Sequence, residues 1–356
     1  MSKNIDAYPI AMVLADTHCG KDTVEAFKLN MHEAISICQD KSIKYIFFAG
    51  DLVLSRAAQT LDILLAIHDL LEECKEAGIE VVMINGNHCK VNQESPRGYC
   101  NVFDSFSNVI VVDTYLKFPI LKDVQIGLIS YFPEQGSFKQ KLEELEKMMF
   151  DGTKAFRILI IHEGIRGGLG EATETELPAK LFSKWNKVFV GHYHNRNTIA
   201  PNIEYIGSSR QHNFGEDEEK GYTVIYTDGS HEFIKNKVNT RYRVIDVAAE
   251  RAGLHLMDEL REIDADGRYK VKVRVHAPQA AMKSVDKAAL LDAGATKVEL
   301  IADDEEMLEV AASSLFEKFD SHRIRETYEE FCREKQIDDV AIGLEYLSKI
   351  EGQCGN

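Results

Sequence analysis

No apolar run in the 356 residues approaches the roughly 20 needed to cross a bilayer, so a membrane-spanning helix is not expected. The opening Met-Ser-Lys-Asn-Ile-Asp-Ala-Tyr-Pro offers neither the apolar core nor the small-residue cleavage site of a secretory signal, and a cytoplasmic location is the expectation. The seven cysteines (Cys19, Cys38, Cys74, Cys89, Cys100, Cys332, Cys354) are odd in number and form no CxxC pair, which argues against a disulfide framework and a zinc ribbon. Reduced thiols packed as small core groups are expected instead. Positive charge is scarce as well. With 42 Lys and Arg against 58 Asp and Glu, the net charge of −16 argues against a free-standing basic nucleic-acid binder. Internal repeats and low-complexity segments are absent, and the densest charge runs, residues 216–220 and 303–306, read as solvated surface.

What is present is length and alternation. A chain of 356 residues exceeds what one hydrophobic core usually serves, so two domains, or one large domain with an appended smaller one, are expected. Strand patterns at 10–15, 43–49 and 79–84 alternate with helical patterns at 22–39 and 57–77, which predicts a mainly parallel sheet with its working end beyond the strand C-termini. Closely spaced strands follow over 109–131, then a helix at 138–149 and strands at 157–161, 188–190, 203–206, 222–226 and 231–235. This is a layered α/β plan of the αββα type. Near residue 240 the pattern changes to a strand at 243–247, a helix at 250–262, an alternating strand at 269–275, a helix near 281–291 and a strand at 297–301. The expected division is a main domain over 1–240, a small α+β cap over 241–305 and a helical tail over 306–356.

Five short polar clusters stand at the predicted strand ends: Asp16-Thr17-His18, Gly50-Asp51, Gly86-Asn87-His88, His162 and Gly191-His192-Tyr193-His194. Each alone is weak, since an Asp or His after a strand is commonly a helix cap or a surface group. Together they hold five of the twelve histidines at what the fold would make a single edge. Carboxylate, imidazole and amide oxygen suit Mn²⁺, Fe²⁺, Co²⁺ or Zn²⁺, and the lack of cysteine ligands disfavours structural zinc. One carboxylate can bridge two ions about 3.5 to 4 Å apart, which holds the attacking and leaving oxygens of an in-line phosphoryl displacement. Gly50, Gly86 and Gly191 are expected to permit the tight turns that aim these groups at one point.

The set resembles the DxH, GD, GNH, H and GHxH motifs of the calcineurin-like binuclear metallophosphoesterases, from Asp16 to His194. The resemblance implies an αββα four-layer sandwich. It also implies two divalent ions, Mn²⁺ foremost with Mg²⁺, Fe²⁺, Co²⁺ and Zn²⁺ as alternatives. Asp16, His18, Asp51 and His194 would hold one ion, and Asp51, Asn87, His162 and His192 the other. Asp51 would be the bridge, and His88 the proton donor or phosphate contact beside them.

Within that superfamily the chain is most similar to the SbcD-type DNA double-strand-break repair nucleases, which include phage recombination endonuclease subunits. Asp16-Thr17-His18-Cys19-Gly20 fits DxHxG. Glu204-Tyr205-Ile206-Gly207-Ser208 with Phe214-Gly215-Glu216 and Lys220-Gly221 resembles the YxGS...FGE...KG segment, and a cap and tail follow. This implies a DNA exo- or endonuclease subunit that contacts an SbcC-like ATPase through helices in 315–349 and forms a homodimer through the helix at 57–77. It would lie in the host cytoplasm if phage-encoded. Two positions depart from the pattern. Cys89 follows His88 where the family has a carboxylate that would orient the imidazole, and Leu54 stands where His or Asp is common, which argues against processive exonuclease action. Cys89 itself reads as a packing residue facing away from the ions. The alternatives are a phosphatase or phosphodiesterase of small phosphate esters and a partner-recruiting scaffold with a residual metal site.

Overall fold

The fold comes from a computed structural model that describes residues 7–121, 123–169, 175–279, 281–302 and 332. The chain divides into two compact units, Met1–Arg243 with Asp264–Lys270, and Val244–Ile263 with Val271–Asn356. The helical tail expected over 306–356 lies outside the described residues, Cys332 excepted.

In the first unit, β1 (Pro9–Leu14), α1 (Val24–Asp40), β2 (Tyr45–Ala49), α2 (Leu61–Glu76), β3 (Glu80–Ile84) and β4 (Val109–Val112) build the first sheet and its helical cover. β5 (Tyr115–Pro119), β6 (Val124–Ile129), α3 (Phe138–Met149), β7 (Phe156–His162), β8 (Lys187–Gly191), β9 (Asn197–Ala200) and β10 (Ile203–Tyr205) build the second. β11 (Gly221–Tyr226) and β12 (His231–Lys235) return to the first, giving the orders β12-β11-β1-β2-β3-β4 and β5-β6-β7-β8-β10-β9. β1 to β4 run parallel to one another, as do β6, β7 and β8.

The residue pattern explains the layers. β1 and β3 are almost uninterrupted apolar runs, which strands need when both faces are covered. Val13, Phe47 and Ile84 of the first sheet share a core with Ile126, Ile158 and Phe189 of the second. Phe27, Met31, Ile67 and Leu71 of α1 and α2 pack on the outer face of the first sheet, and Leu142, Leu145 and Met149 of α3 on that of the second. The arrangement is αββα, as the alternation predicted. The described cysteines are free and buried.

Three elements differ from the sequence expectation. The helix expected from residue 57 begins at Leu61, because Ser55 turns the chain by accepting the backbone N–H of Ala57 and Gln59 bonds back to the Ser55 carbonyl. β9 was not foreseen, since an exposed four-residue edge strand carries little apolar signal. The helix expected near 281–291 is shorter, a 3-10 turn at Met282–Ser284 followed by α5 (Lys287–Asp292), whose start is fixed by Asp286 capping the Ala289 N–H.

The second unit centres on the sheet of β13 (Arg241–Ala248), β14 (Tyr269–Ala277) and β15 (Ala295–Ala302), with α4 (Leu254–Asp264) and α5. β14 alternates strictly. Val271, Val273, Val275 and Ala277 are buried, while Lys270, Lys272, Arg274 and His276 share the opposite face.

Glu204 on β10 ties the two sheets of the first unit together. Its carboxylate accepts from Lys187 at 2.8 Å, from His231 of β12 at 2.9 Å and from Arg196. Burial works to raise its pKa, but His231, Lys187 and Arg196 outweigh it and bring the carboxyl from 4.5 to about 2. Burial also lowers Arg196 despite the same pairing, yet a guanidinium stays charged, so the carboxylate carries the pH dependence. A depressed carboxylate stabilises the fold above its ordinary pKa and loses that contribution as pH falls through the folded value. Glu204→Gln is expected to cost about 2 to 3 kcal/mol at pH 7 in urea unfolding. The difference from wild type should shrink between pH 4.5 and about 2.

Candidate metal centre

β1, β2 and β3 end at one edge of the first sheet, and β7 and β8 end in register at Gly191 and His162 in the second. All five polar clusters therefore meet where parallel strands stop, and Asp16 N–H to Gly50 O (3.1 Å) and His18 N–H to Asp51 O (3.0 Å) prolong the strand pairing beyond the sheet. Turning the side chains inward strains the backbone. Among the described residues five non-glycines have positive φ, and four belong to the clusters: Asp16 (52°), His18 (44°), Asp51 (50°) and His192 (94°).

The glycines have two different tasks. Gly50, at φ 92°, takes a conformation that side chains resist, as the sequence led us to expect. Gly86 has an ordinary φ of −85°; there a Cβ would enter the Asp51 carboxylate, and at Gly191 it would meet the Ala49 carbonyl and the His162 ring. Close approach, not turn geometry, selects glycine at these two positions.

The side chains converge. Ligand atoms of Asp16, Asp51 and His162 lie within 4.8 Å of one another, as do those of His18, Asp51 and His88, and those of His18, His194 and His212. His162 Nε2 is 3.2 Å from Asp51 Oδ2 and 3.1 Å from Asn87 Oδ1, while His192 Nδ1 is 3.2 Å from the same amide oxygen. His18 Nε2 and His194 Nε2 stand 3.1 Å apart, and each is within 3.9 Å of Asp16 Oδ1. Partners on the far side of the rings fix their tautomers. His162 Nδ1 donates to the Ala49 carbonyl at 2.8 Å and His194 Nδ1 to Glu216 Oε1 at 2.8 Å, so that Nε2 is the ring nitrogen each turns inward.

The donor set fits divalent cations. Asp16 Oδ1 is buried without a hydrogen-bond partner, surrounded by imidazole nitrogens. The Asn87 side-chain amide lies among His162, His192 and Asp51, where its oxygen is within reach of a cation shared with them.

The buried charges shift one another. Burial lowers His18 and His192 to about 3, so both imidazoles are neutral and available as ligands. Burial raises Asp16. It also opposes ionisation of Asp51 and protonation of His162, but their mutual attraction prevails. Asp51 is held below the ordinary carboxylate range, and His162 rises to about 10. In His194 burial is outweighed by the Glu216 hydrogen bond, and its pKa rises.

His88 is oriented without the carboxylate its neighbour lacks. Its Nδ1 lies 2.6 Å from the Leu54 carbonyl, and its backbone N–H donates to Asp51 Oδ1 at 2.8 Å. Leu54, one of the two departures, thus supplies through its main chain an anchor for the ring beside the other. Cys89 is fully buried among apolar side chains of the first sheet's outer core.

Several residues of the site escaped the sequence reading. The run 216–220, read as solvated surface, is exposed at Asp217 and Glu219, but its two ends are built into the centre. Glu216 holds His194, and Lys220, fully buried, donates to the His194 carbonyl at 2.6 Å. Arg210 grips the Thr17 and His18 carbonyls at 3.1 Å each. His212 stands with its ring centroid 5.1 Å from that of His18. Their signal was the segment from Gly207 to Lys220, where residues resembling a family pattern were matched by type and not assigned tasks.

A model of the calcineurin-like phosphoesterase family matches residues 11–217, more than half of the chain and all of the clusters. The chain belongs to this family. It is 24% identical over 237 residues to putative phosphoesterase 078R of invertebrate iridescent virus 3, covering 65% of this chain. The chain spans 65% of the length of that relative. It is 22% identical over 224 residues to putative phosphoesterase 244L of invertebrate iridescent virus 6, covering 60% of this chain and 74% of the relative. Among solved structures, a dimetal phosphatase from Danio rerio aligns with a TM-score of 0.41 at 12% identity, over 55% of this chain and 86% of that one. A nuclease MPE from Pseudomonas putida aligns with a TM-score of 0.27 at 16% identity, over 55% and 66%.

Because His162 and His194 hold protons more tightly than free imidazole, cation binding to this phosphoesterase must displace them. Affinity for Mn²⁺ is therefore expected to rise with pH. Calorimetry at pH 7 in buffers of different ionisation enthalpy should register release of about one to two protons. Binding with no proton release would contradict this electrostatic account.

Proposed function

We propose that this phosphoesterase hydrolyses phosphodiesters with two divalent ions, Mn²⁺ foremost, and acts on DNA as an SbcD-type nuclease subunit. One ion would be held by Asp16, His18, Asp51 and His194, the other by Asp51, Asn87, His162 and His192. The ions, when bound, neutralise phosphoryl charge and lower the pKa of the attacking water. The protein's own groups orient and protonate. Asp51, placed between the two sets and kept ionised, is the shared anchor. With Nδ1–H donating to the Leu54 carbonyl, His88 keeps Nε2 free to contact the phosphate and, as the imidazolium, to pass its Nε2 proton to the departing oxygen and be left neutral.

The observation that carries the polymeric substrate is the face of β14. Lys270, Lys272 and Arg274 form a cationic row there, and Lys297 of β15 pairs in register with Lys272. Among the described residues, Asp246 pairs with Arg274, and Glu299 with Lys272 and Lys297. Such a row on a chain of net charge −16 suits contact with a phosphate backbone. The remaining positive charge would come from the ions and from an SbcC-like ATPase docked on the segment 306–356. α2 exposes Leu61 and Leu65, 68% and 48% accessible, which supports a homodimer contact through this helix. Action in the cytoplasm, in DNA repair or recombination, completes this reading.

A second reading has its own support. A cavity of about 550 Å³ beside the centre is lined by His192, Tyr193, Asn195, Arg196, Asn197 and Glu216, a size that suits the organic part of a small phosphate ester.

Hydrolysis by purified protein with Mn²⁺ separates the two. Linear duplex DNA and bis-p-nitrophenyl phosphate are expected to be cleaved in preference to p-nitrophenyl phosphate, with Asp51→Ala reducing turnover at least on the order of 10³-fold. Preference for the monoester would overturn the nuclease reading in favour of the phosphatase.

A further inference from the structure

His212 belongs to none of the five motif clusters, yet one ligand nitrogen of its ring lies within 4.8 Å of those of both His18 and His194. Its ring centroid is 4.9 Å from that of His194. We propose that His212 is a third imidazole ligand at the His18–His194 end of the centre, in addition to the ligands named above. This rests on the two-ion reading and deepens it.

The ring is held as a ligand would be. Its Nε2 donates to the Asp16 carbonyl at 2.8 Å, so the neutral imidazole carries its lone pair on Nδ1. Its backbone N–H donates to Glu216 Oε2 at 3.1 Å, while Glu216 Oε1 accepts from His194. A single carboxylate therefore positions both histidines, and Lys220 lies 3.6 Å from that carboxylate. Arg210, two residues earlier, fixes the main chain of Thr17 and His18. The segment from Arg210 to Lys220 thus reaches Asp16, Thr17, His18 and His194. Surface loops do not usually bury an arginine and a lysine, 4% and 0% accessible, to orient two rings.

The consequence is asymmetry. The ion at this end would meet three imidazoles and two carboxylates, and the other two imidazoles, the amide oxygen of Asn87 and the shared Asp51. The nitrogen-rich end should hold later divalent ions more tightly.

The test is Mn²⁺ titration of the metal-free full chain, with free ion counted by electron paramagnetic resonance, for wild type, His212→Ala and His212→Gln. Glutamine can keep the hydrogen bond to the Asp16 carbonyl without an imidazole lone pair, and thermal melts establish that each variant is folded. Wild type is expected to bind two ions. In both variants one of the two should weaken on the order of 10-fold or more while the other stays within about twofold, and free imidazole should restore the alanine variant. Unchanged affinities in both variants, whatever happens to KM, would make His212 a substrate contact and overturn the proposal. Loss in the alanine variant alone would reduce it to a support for the Asp16 carbonyl and overturn it equally. Fewer than two ions in wild type would remove the two-ion reading itself.

Discussion

Two carboxylates, Asp16 and Asp51, are packed with His162 at a place where none of the three is more than 2% accessible. Everything else at the edge of the sheets answers to that burial. An ionised carboxylate away from water costs several kcal/mol unless positive charge meets it, and two side by side cost more. In the protein without ions His162 supplies the charge by keeping its proton, and one imidazolium cannot serve both acids, which is why Asp16 remains partnerless at Oδ1 and is driven towards its neutral form. Divalent ions would resolve the conflict for both carboxylates at once, and the same substitution would free His162 to act as a ligand.

The scaffold is arranged to bear this cost. Left-handed backbone at Asp16, His18, Asp51 and His192 would be of order 1 kcal/mol or more unfavourable at each position. It persists because the strands before these residues are rigid and fully buried, with Gly50, Gly86 and Gly191 leaving room for the neighbouring acid and ring. Behind the rings lies a layer of fixed partners: the Ala49 carbonyl for His162, Glu216 for His194 and the Leu54 carbonyl for His88. With Nδ1 so occupied, each of these rings keeps Nε2 as the nitrogen left for a ligand. Cys89 needs no part in this arrangement, and it is absorbed into the core.

Much of this was legible in the sequence because parallel strands convert order along the chain into proximity. Asp16, Asp51, Asn87, His162 and His192 are far apart in sequence, but each follows an apolar run, and runs that form parallel strands end at a common edge. Alternation of strand and helix gave the layers for the same reason. Tasks performed by the main chain were not legible. The anchoring of His88 depends on the carbonyl of Leu54, which no side-chain pattern encodes. Charge runs misled because composition cannot distinguish a solvated glutamate from Glu216, whose partner His194 lies 22 positions earlier. His212 was missed since a lone histidine after a loop has no periodicity to mark it. The start of α2 was displaced by local hydrogen bonding that propensity does not anticipate, and β9, an exposed edge strand, carries too little apolar signal to be marked.

The central claim is that this edge holds two ions across Asp51. Crystals grown with Mn²⁺ and measured at the manganese absorption edge test it most directly. Two anomalous peaks on either side of the Asp51 carboxylate, about 3.5 to 4 Å apart, are the predicted result. A single peak, or density away from Asp51, would contradict it.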